Sequence, residues 1–307
     1  GRGRPHGGSM MEETARSFLA EPRGVASASL GGARRRAPGH FLENGPAVYS
    51  LVLIALVLAL SLLAPFMTPY GRDAIDLGSI LAGPSPAHVL GTDDLGRDVL
   101  TRLIFAGRFS MLVALCSVAI AVVLGVLAGT VAGFFGRGAD AAVTMTIDLF
   151  LSVPVFLVLL VAASAGGGRI WIVPLVIGGS SWMETARIVR SLVLSLKEQG
   201  FVEAARAAGA ADASLIVRHV LPQTLPPVIV SATVGFAQAM LVESALSFLG
   251  FGVQPPVPTW GNMLENASVF IRQAPMAAFA PGFMIFITCF SLNNVGEGLR
   301  RMLAIER

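Results

Sequence analysis

The chain has 307 residues, of which 54% are hydrophobic and only 13% charged, and its mean hydropathy is +0.72. A soluble domain carries about 25% charged residues, so the composition argues against a water-solvated globule and makes the bilayer its solvent. A formal net charge of +3 is too modest for a nucleic-acid binder, and the two cysteines, Cys116 and Cys289, both lie in apolar runs and read as small hydrophobes rather than a disulfide framework.

Residues 1–46 carry no span. Gly, Arg, Ser and Ala dominate there, with Arg34, Arg35 and Arg36 as a basic run, so the segment reads as a mostly disordered cytoplasmic tail. The residues before Met10 read as a scar or a mis-set start. The tail and the apolar run after it are both too long for a cleavable leader. With roughly 20 apolar residues per crossing as the yardstick, six spans are expected, at about 47–66, 110–135, 143–163, 170–187, 227–249 and 277–295. The fourth is weakened by Pro174, Gly178, Gly179, two serines and Glu184. In the second, Gly125, Gly129 and Gly133 recur at four-residue spacing, which suits close helix–helix approach. With the N terminus in the cytoplasm, 16 of the 22 Lys and Arg residues fall in inner segments and 6 in outer ones. This follows the positive-inside rule and places both termini inside.

The outer segment, 67–108, centres on Gly91, Thr92, Asp93, Asp94, Leu95, Gly96, Arg97 and Asp98. Asp93 or Asp94 is expected to cap a helix carrying Val99, Leu100, Leu103 and Ile104 toward span two. The three aspartates invite a metal reading, but their spacing lacks the Gly and Glu positions of an EF-hand loop. A charged surface element at the outer mouth fits better, and no metal site is assigned. Three tryptophans, Trp171, Trp182 and Trp260, are expected at the membrane interfaces as anchors.

The inner segment 198–222 holds an alanine-rich helix. Phe201, Ala204, Ala205 and Ala208 lie at i, i+3, i+4 and i+7 and make one narrow apolar face. Glu203 and Arg206 sit at its rim, and Gly209 is placed to end it. Asp212 is expected to cap a second helix through Leu215, Ile216 and Val217 that Pro222 breaks. A small-residue helix in water is a plug for a groove on another protein.

Ionisable groups inside spans are functional candidates by default. Glu243 deep in span five and Asp148 in span three, six residues before Pro154, either face a translocation pathway or gate, or fix helix packing. Glu184 beside Arg187 reads as a wet surface pair near the cytoplasmic edge.

Three separated stretches give the chain a resemblance. They are Leu90-Gly-Thr-Asp-Asp-Leu-Gly-Arg-Asp-Val-Leu100, Ala186-Arg187 through Glu203-Ala-Ala to Gly209 and Leu221-Pro222, and Glu243-Ser-Ala-Leu-Ser-Phe-Leu-Gly-Phe-Gly-Val-Gln-Pro-Pro256 leading to Trp260-Gly261. From about residue 45 onward the chain resembles the C-type permease of bacterial dipeptide/oligopeptide ABC importers. It departs from that pattern at the C terminus, where Glu297 and Arg301 stand at positions usually held by Asp and a terminal Asp-Pro is missing. The resemblance implies an all-α fold with the type I importer architecture. It implies a second, B-type permease, two ATP-binding subunits that hold ATP and Mg, and an extracytoplasmic binding protein that delivers short peptides. Nickel chelates, glutathione or another small solute use similar machinery. It further implies that Phe201, Glu203, Ala204, Ala205, Arg206, Ala208 and Gly209 seat on an ATPase.

The chain cannot be that ATPase itself. A phosphate-cradling loop needs a lysine after a glycine-rich approach, and the only lysine, Lys197, is followed by Glu198 with no such approach. No cofactor is therefore expected on this chain. A membrane enzyme would need paired intramembrane aspartates, a Gly-x-Ser-x-Gly serine or His-Glu-x-x-His, and none is present. A stand-alone secondary transporter would show inverted repeats, which are not evident.

Overall fold

A computed structural model describes residues 44–165 and 171–305, all within the unit Pro38–Arg307. The expectations for the N-terminal tail, and for the start of span four at residue 170, fall on residues outside these. Among the described residues the chain is helical, and its one β feature is an isolated bridge between Thr92 and Asp98.

Helix α1 runs Gly45–Met67, and at 1.5 Å per residue its 23 residues extend about 35 Å, enough for the bilayer core. A loop with a 3₁₀ turn at Leu77–Ser79 leads to α2, Val99–Phe135, which is 37 residues long. It starts eleven residues before the expected span because Asp98 caps it: the carboxylate accepts the Thr101 N–H at 2.7 Å. Asp98, not Asp93 or Asp94, therefore does the capping.

The expected third span is two helices, α3 Arg137–Leu151 and α4 Val155–Ala165, meeting at 84°. Pro154 has no N–H to continue the ladder, and its carbonyl instead opens the next turn by accepting from Leu157 at 2.9 Å. Helix α5, Ile172–Leu196, continues nine residues past its expected end. It lies backbone to backbone along α2. A Cβ on Gly125 would meet Thr185 Cβ at 2.6 Å, on Gly129 the Ala186 carbonyl at 2.5 Å, and on Gly133 Val193 Cβ at 2.8 Å. The glycine spacing thus serves packing.

Beyond a short turn come α6 Gly200–Ala207, α7 Asp212–Leu215, a five-residue π turn at Ile216–Val220 and α8 Leu221–Phe248. Two expectations fail here. Ala211, not Asp212, is the cap residue of α7, and Pro222 does not break the helix. Proline is tolerated in a first turn, where the N–H has no intrahelical acceptor. The preceding π turn keeps the chain helical, with the Leu221 N–H donating back to the Ile216 carbonyl. The result is one helical stretch from Asp212 to Phe248.

Two more helices follow among the described residues: α9 Trp260–Val269, outside the expected spans, and α10 Pro275–Ile305, which runs ten residues past the end expected for span six. Thr259 and Asn262 form a reciprocal capping box that starts α9. Trp260 is fully buried, not an interface anchor: its backbone N–H donates to Ser110 Oγ and its indole N–H to the Leu103 carbonyl, both at 3.0 Å. It belongs to a central core with Met111, Ile177, Met240 and Leu246. A second core, at the end where α6 lies, gathers Phe134, Val189, Val193, Val202, Leu215 and Val220.

Among the described residues, four helices (α1, α2, the α7–α8 stretch and α10) are long and apolar enough to cross a bilayer, and α3–α4 adds a fifth if it crosses as one unit. Helix α5, with Glu184, Arg187 and Arg190, does not reach that apolarity despite its 25 residues.

Candidate functional site

Helix α6 is held by one apolar anchor. Val202 is 0% exposed and packs with Leu215, Val220, Val189 and Val193. Ala205 is half-buried on the same side, while Phe201, Glu203, Ala204, Arg206, Ala208 and Gly209 are exposed. The apolar stripe expected over Phe201, Ala204, Ala205 and Ala208 therefore divides: Ala205 turns inward, and the other three stay open. Val202 was missed because the i, i+3, i+4 pattern ran through the alanines. Its branched side chain among small and charged neighbours was the available signal.

The end of α6 is a Schellman motif. Gly209 has φ +85°, its N–H donates to the Arg206 carbonyl at 3.0 Å, and the Ala210 N–H reaches the Ala205 carbonyl at 3.1 Å. Arg206 folds back, its guanidinium 5.9 Å from the Phe134 ring centroid. Around this root, Lys197 Nζ donates to the Gly133 carbonyl at 3.0 Å, and Arg190 pairs with Asp140, one of its bonds measuring 2.7 Å. The ends of α2, α3 and α5 are thereby tied together beneath α6.

In the segment between α1 and α2, the aspartates are engaged by arginines and backbone. Asp93 accepts from the backbone N–H of Leu95 and of Arg97, both at 2.9 Å, and from Arg97 Nε at 2.6 Å, with Arg102 Nε 3.6 Å away. Asp94 lies 3.5 Å from Arg97, and Asp98 faces His88 Nδ1 at 3.0 Å besides capping α2. Thr92 Oγ1 donates to the Ser79 carbonyl and accepts the Ala82 N–H at 2.8 Å. Gly91 and Gly96 take φ of +78° and +74°, and a side chain on Gly96 would run into the Asp76 carbonyl. Asp76 is held below the usual carboxylate range, first by the Ser79 hydroxyl and then by the Gly78 N–H. The segment is a cross-braced platform leading into α2.

The two in-span acids differ sharply. Glu243 is 0% exposed and accepts Ser247 Oγ at 2.8 Å, with Ser244 Oγ at 3.5 Å. The same stretch of α8 carries the N terminus of α9 so closely that a Cβ on Gly261 would lie 2.7 Å from Ser244 Cα. The Asp148 side chain is 65% exposed and meets Arg187 at 3.4 Å. Arg187 thus pairs with Asp148, not with Glu184 as expected. Neither Glu243 nor Asp148 lines two neighbouring grooves that α5 and α8 share, one also walled by α2 and the other by α10, and both edged by Glu184. At the C terminus Glu297 holds Arg300 at 2.8 and 3.0 Å and Arg301 at 2.9 Å, so the arginine at the departing position joins its neighbour's ion pair.

A helical membrane protein with a short small-residue helix rooted at one end of its spans is the class this geometry defines. Residues 121–304 match the family described as binding-protein-dependent transport system inner membrane component, and residues 34–84 match the N-terminal TM domain of oligopeptide transport permease C. The chain is 36% identical over 261 residues to the dipeptide transport system permease protein DppC of Alkalihalophilus pseudofirmus, covering 85% of this chain and 86% of the relative. It is also 36% identical over 251 residues to the nickel transport system permease protein NikC of Escherichia coli K12, covering 82% and 91%. A solved chain of the methionine ABC transporter MetNI shares the fold with a TM-score of 0.54 at 17% identity, covering 67% of this chain and 97% of that one. The chain belongs to the family of inner-membrane components of binding-protein-dependent transport systems.

Proposed function

We propose that this chain forms half of the translocation pathway of an ATP-driven importer of short peptides and couples ATPase closure to alternating access through α6. The observation that carries the reading is the exposed face Phe201, Ala204 and Ala208 on a helix anchored from beneath by Val202. Such a face suits a groove on a partner ATPase, with Glu203 and Arg206 supplying charge-assisted bonds at its rim. A rigid shift of that groove then drags α6 and tilts the attached spans.

On this reading six segments cross the membrane, with α3–α4 as one and α5 as another. The polar character of α5 is tolerated because α2 covers one side and the pathway the other. Both termini and α6 lie in the cytoplasm, in keeping with the 16-to-6 split of basic residues. The partners are a B-type permease, two ATPases that hold ATP and Mg, and an extracytoplasmic binding protein. The outer platform from Gly91 to Asp98 then shapes the outer mouth. Peptide cargo is favoured by the oligopeptide permease match at residues 34–84 and by the dipeptide relative; nickel transport by another relative keeps a chelate as the second reading.

The test uses the assembled transporter in proteoliposomes. Wild type is expected to accumulate labelled alanyl-alanine in an ATP-dependent manner. Gly209→Val, which strains the left-handed position, is expected to abolish uptake while membrane insertion stays normal. Wild-type uptake by the Val variant would overturn the coupling assignment.

A further inference from the structure

Two cavities meet on one face of α5. The first, about 230 Å³, is lined by Ser180, Ser181 and Glu184 on α5 and by Ser231 and Gln238 on α8. The second, about 900 Å³, continues toward the cytoplasmic end past Ile188 and Ser195, with Gln223 and Arg300 also at its wall. Glu184 and Ser231 line both, so they stand at the junction. Ser181, Glu184, Ser191 and Ser195 are all exposed, and their spacing of three, seven and four puts them on one helix face.

Glu184 is the thirteenth of the 25 residues of α5, about 18 Å along the helix from either end. Among the described residues it makes no ion pair. Arg187, one turn on, is bonded to Asp148, and Arg300, the other charged lining residue, is held by Glu297 through two bonds. A carboxylate at that depth facing lipid would be costly. Here it faces a groove with hydroxyls and an amide, and the groove's uncompensated charge is its own.

We propose that Glu184 receives a primary ammonium group of the transported solute as it passes from one cavity to the other. An ammonium carries three donors. Glu184 supplies the counter-charge, while the Ser181 and Ser231 hydroxyls and the Gln238 carbonyl, which line the same cavity, supply neutral acceptors. An anionic group at this junction is repelled. The assignment rests on the importer reading above and adds to it a residue that discriminates by charge.

The test begins with the assembled transporter in nanodiscs, with Cys116→Ala, Cys289→Ala and Ser231→Cys. The thiol is reacted with aminoethyl methanethiosulfonate, which carries a primary ammonium, and with the anionic sulfonatoethyl reagent, and the rate ratio is divided by that for free mercaptoethanol. The normalised preference for the ammonium reagent is expected to be about tenfold, to collapse toward unity on Glu184→Gln and to return with Glu184→Asp. A preference unchanged by Glu184→Gln overturns the proposal. Uptake in proteoliposomes at saturating binding protein identifies the amine. A fall in kcat for alanyl-alanine on Glu184→Gln assigns the α-amino group, and a fall only for N-acetyl-alanyl-lysine assigns a side-chain amine. Wild-type uptake of neither peptide counts against peptide cargo, and the thiol ratio then decides the Glu184 site on its own.

Discussion

Lys197 Nζ donates a hydrogen bond to the Gly133 carbonyl over 3.0 Å, joining the C-terminal end of α5 to that of α2. A cation on the last carbonyls of a helix both satisfies an orphan acceptor and opposes the negative end of the macrodipole. Lys197→Met is expected to lower stability by about 1.5–3 kcal/mol, the range for a hydrogen bond to a charged group. Thermal unfolding of the detergent-solubilised protein measures this, and Lys197→Arg should recover part of the loss.

Gly129 in the α2–α5 seam and Gly179 on the open side of α5 make a contrasting pair. A Cβ on Gly129 meets the Ala186 carbonyl at 2.5 Å, and that backbone has nowhere to go. Gly129→Ala is expected to cost about 1–3 kcal/mol by overpacking. Gly179 lies on α5 with nothing within 4 Å of its Cβ site, so Gly179→Ala should stabilise by up to about 1 kcal/mol through helix propensity. Fluorescence-detected size exclusion after a heating series separates the two.

Asp98 holds both the start of α2 and His88. Asp98→Ala is expected to lose about 0.5–2 kcal/mol of cap energy and to free the first turn of α2. Asp98→Asn keeps an acceptor for the Thr101 N–H and should be milder. Amide hydrogen exchange across residues 99–104 reports the difference directly.

Buried Glu243, bonded to Ser247, predicts a packing phenotype. Glu243→Ala should cost about 1–3 kcal/mol, because a buried donor loses its acceptor, and the yield of assembled complex should fall. The range of transported solutes should stay the same among molecules that do assemble. A shift in that range with normal assembly would instead place Glu243 on the pathway.

What was legible beforehand followed from local chemistry. Long apolar runs announced most of the spans, the Gly125-Gly129-Gly133 spacing announced a close helix contact, and Gly209 announced the end of α6. What escaped was set by register and by distant partners. Hydropathy does not report hydrogen-bond register, so the π turn at Ile216–Val220 that carries the chain through Pro222 left no trace in the apolar pattern. Pro154 signals a kink, but a proline alone does not specify an angle as large as the 84° between α3 and α4. Arg187 was assigned to Glu184, three positions away, because spacing is visible in a sequence, while its partner Asp148 lies 39 positions back. Helix α9 was hidden because Asn262 replaces the Glu or Gln of the usual capping signature.

The unbroken helical run from Asp212 to Phe248 has a mechanical corollary. Its 37 residues extend roughly 55 Å. Its near end is clamped under α6 by Leu215 and Val220, and its far end carries Ser244 and Ser247 hard against Gly261 of α9. A strut with both ends fixed has no slack to absorb a displacement. A tilt imposed at the α6 foot is carried along the strut's length to the α9 contact, so these two ends move together rather than as separate parts.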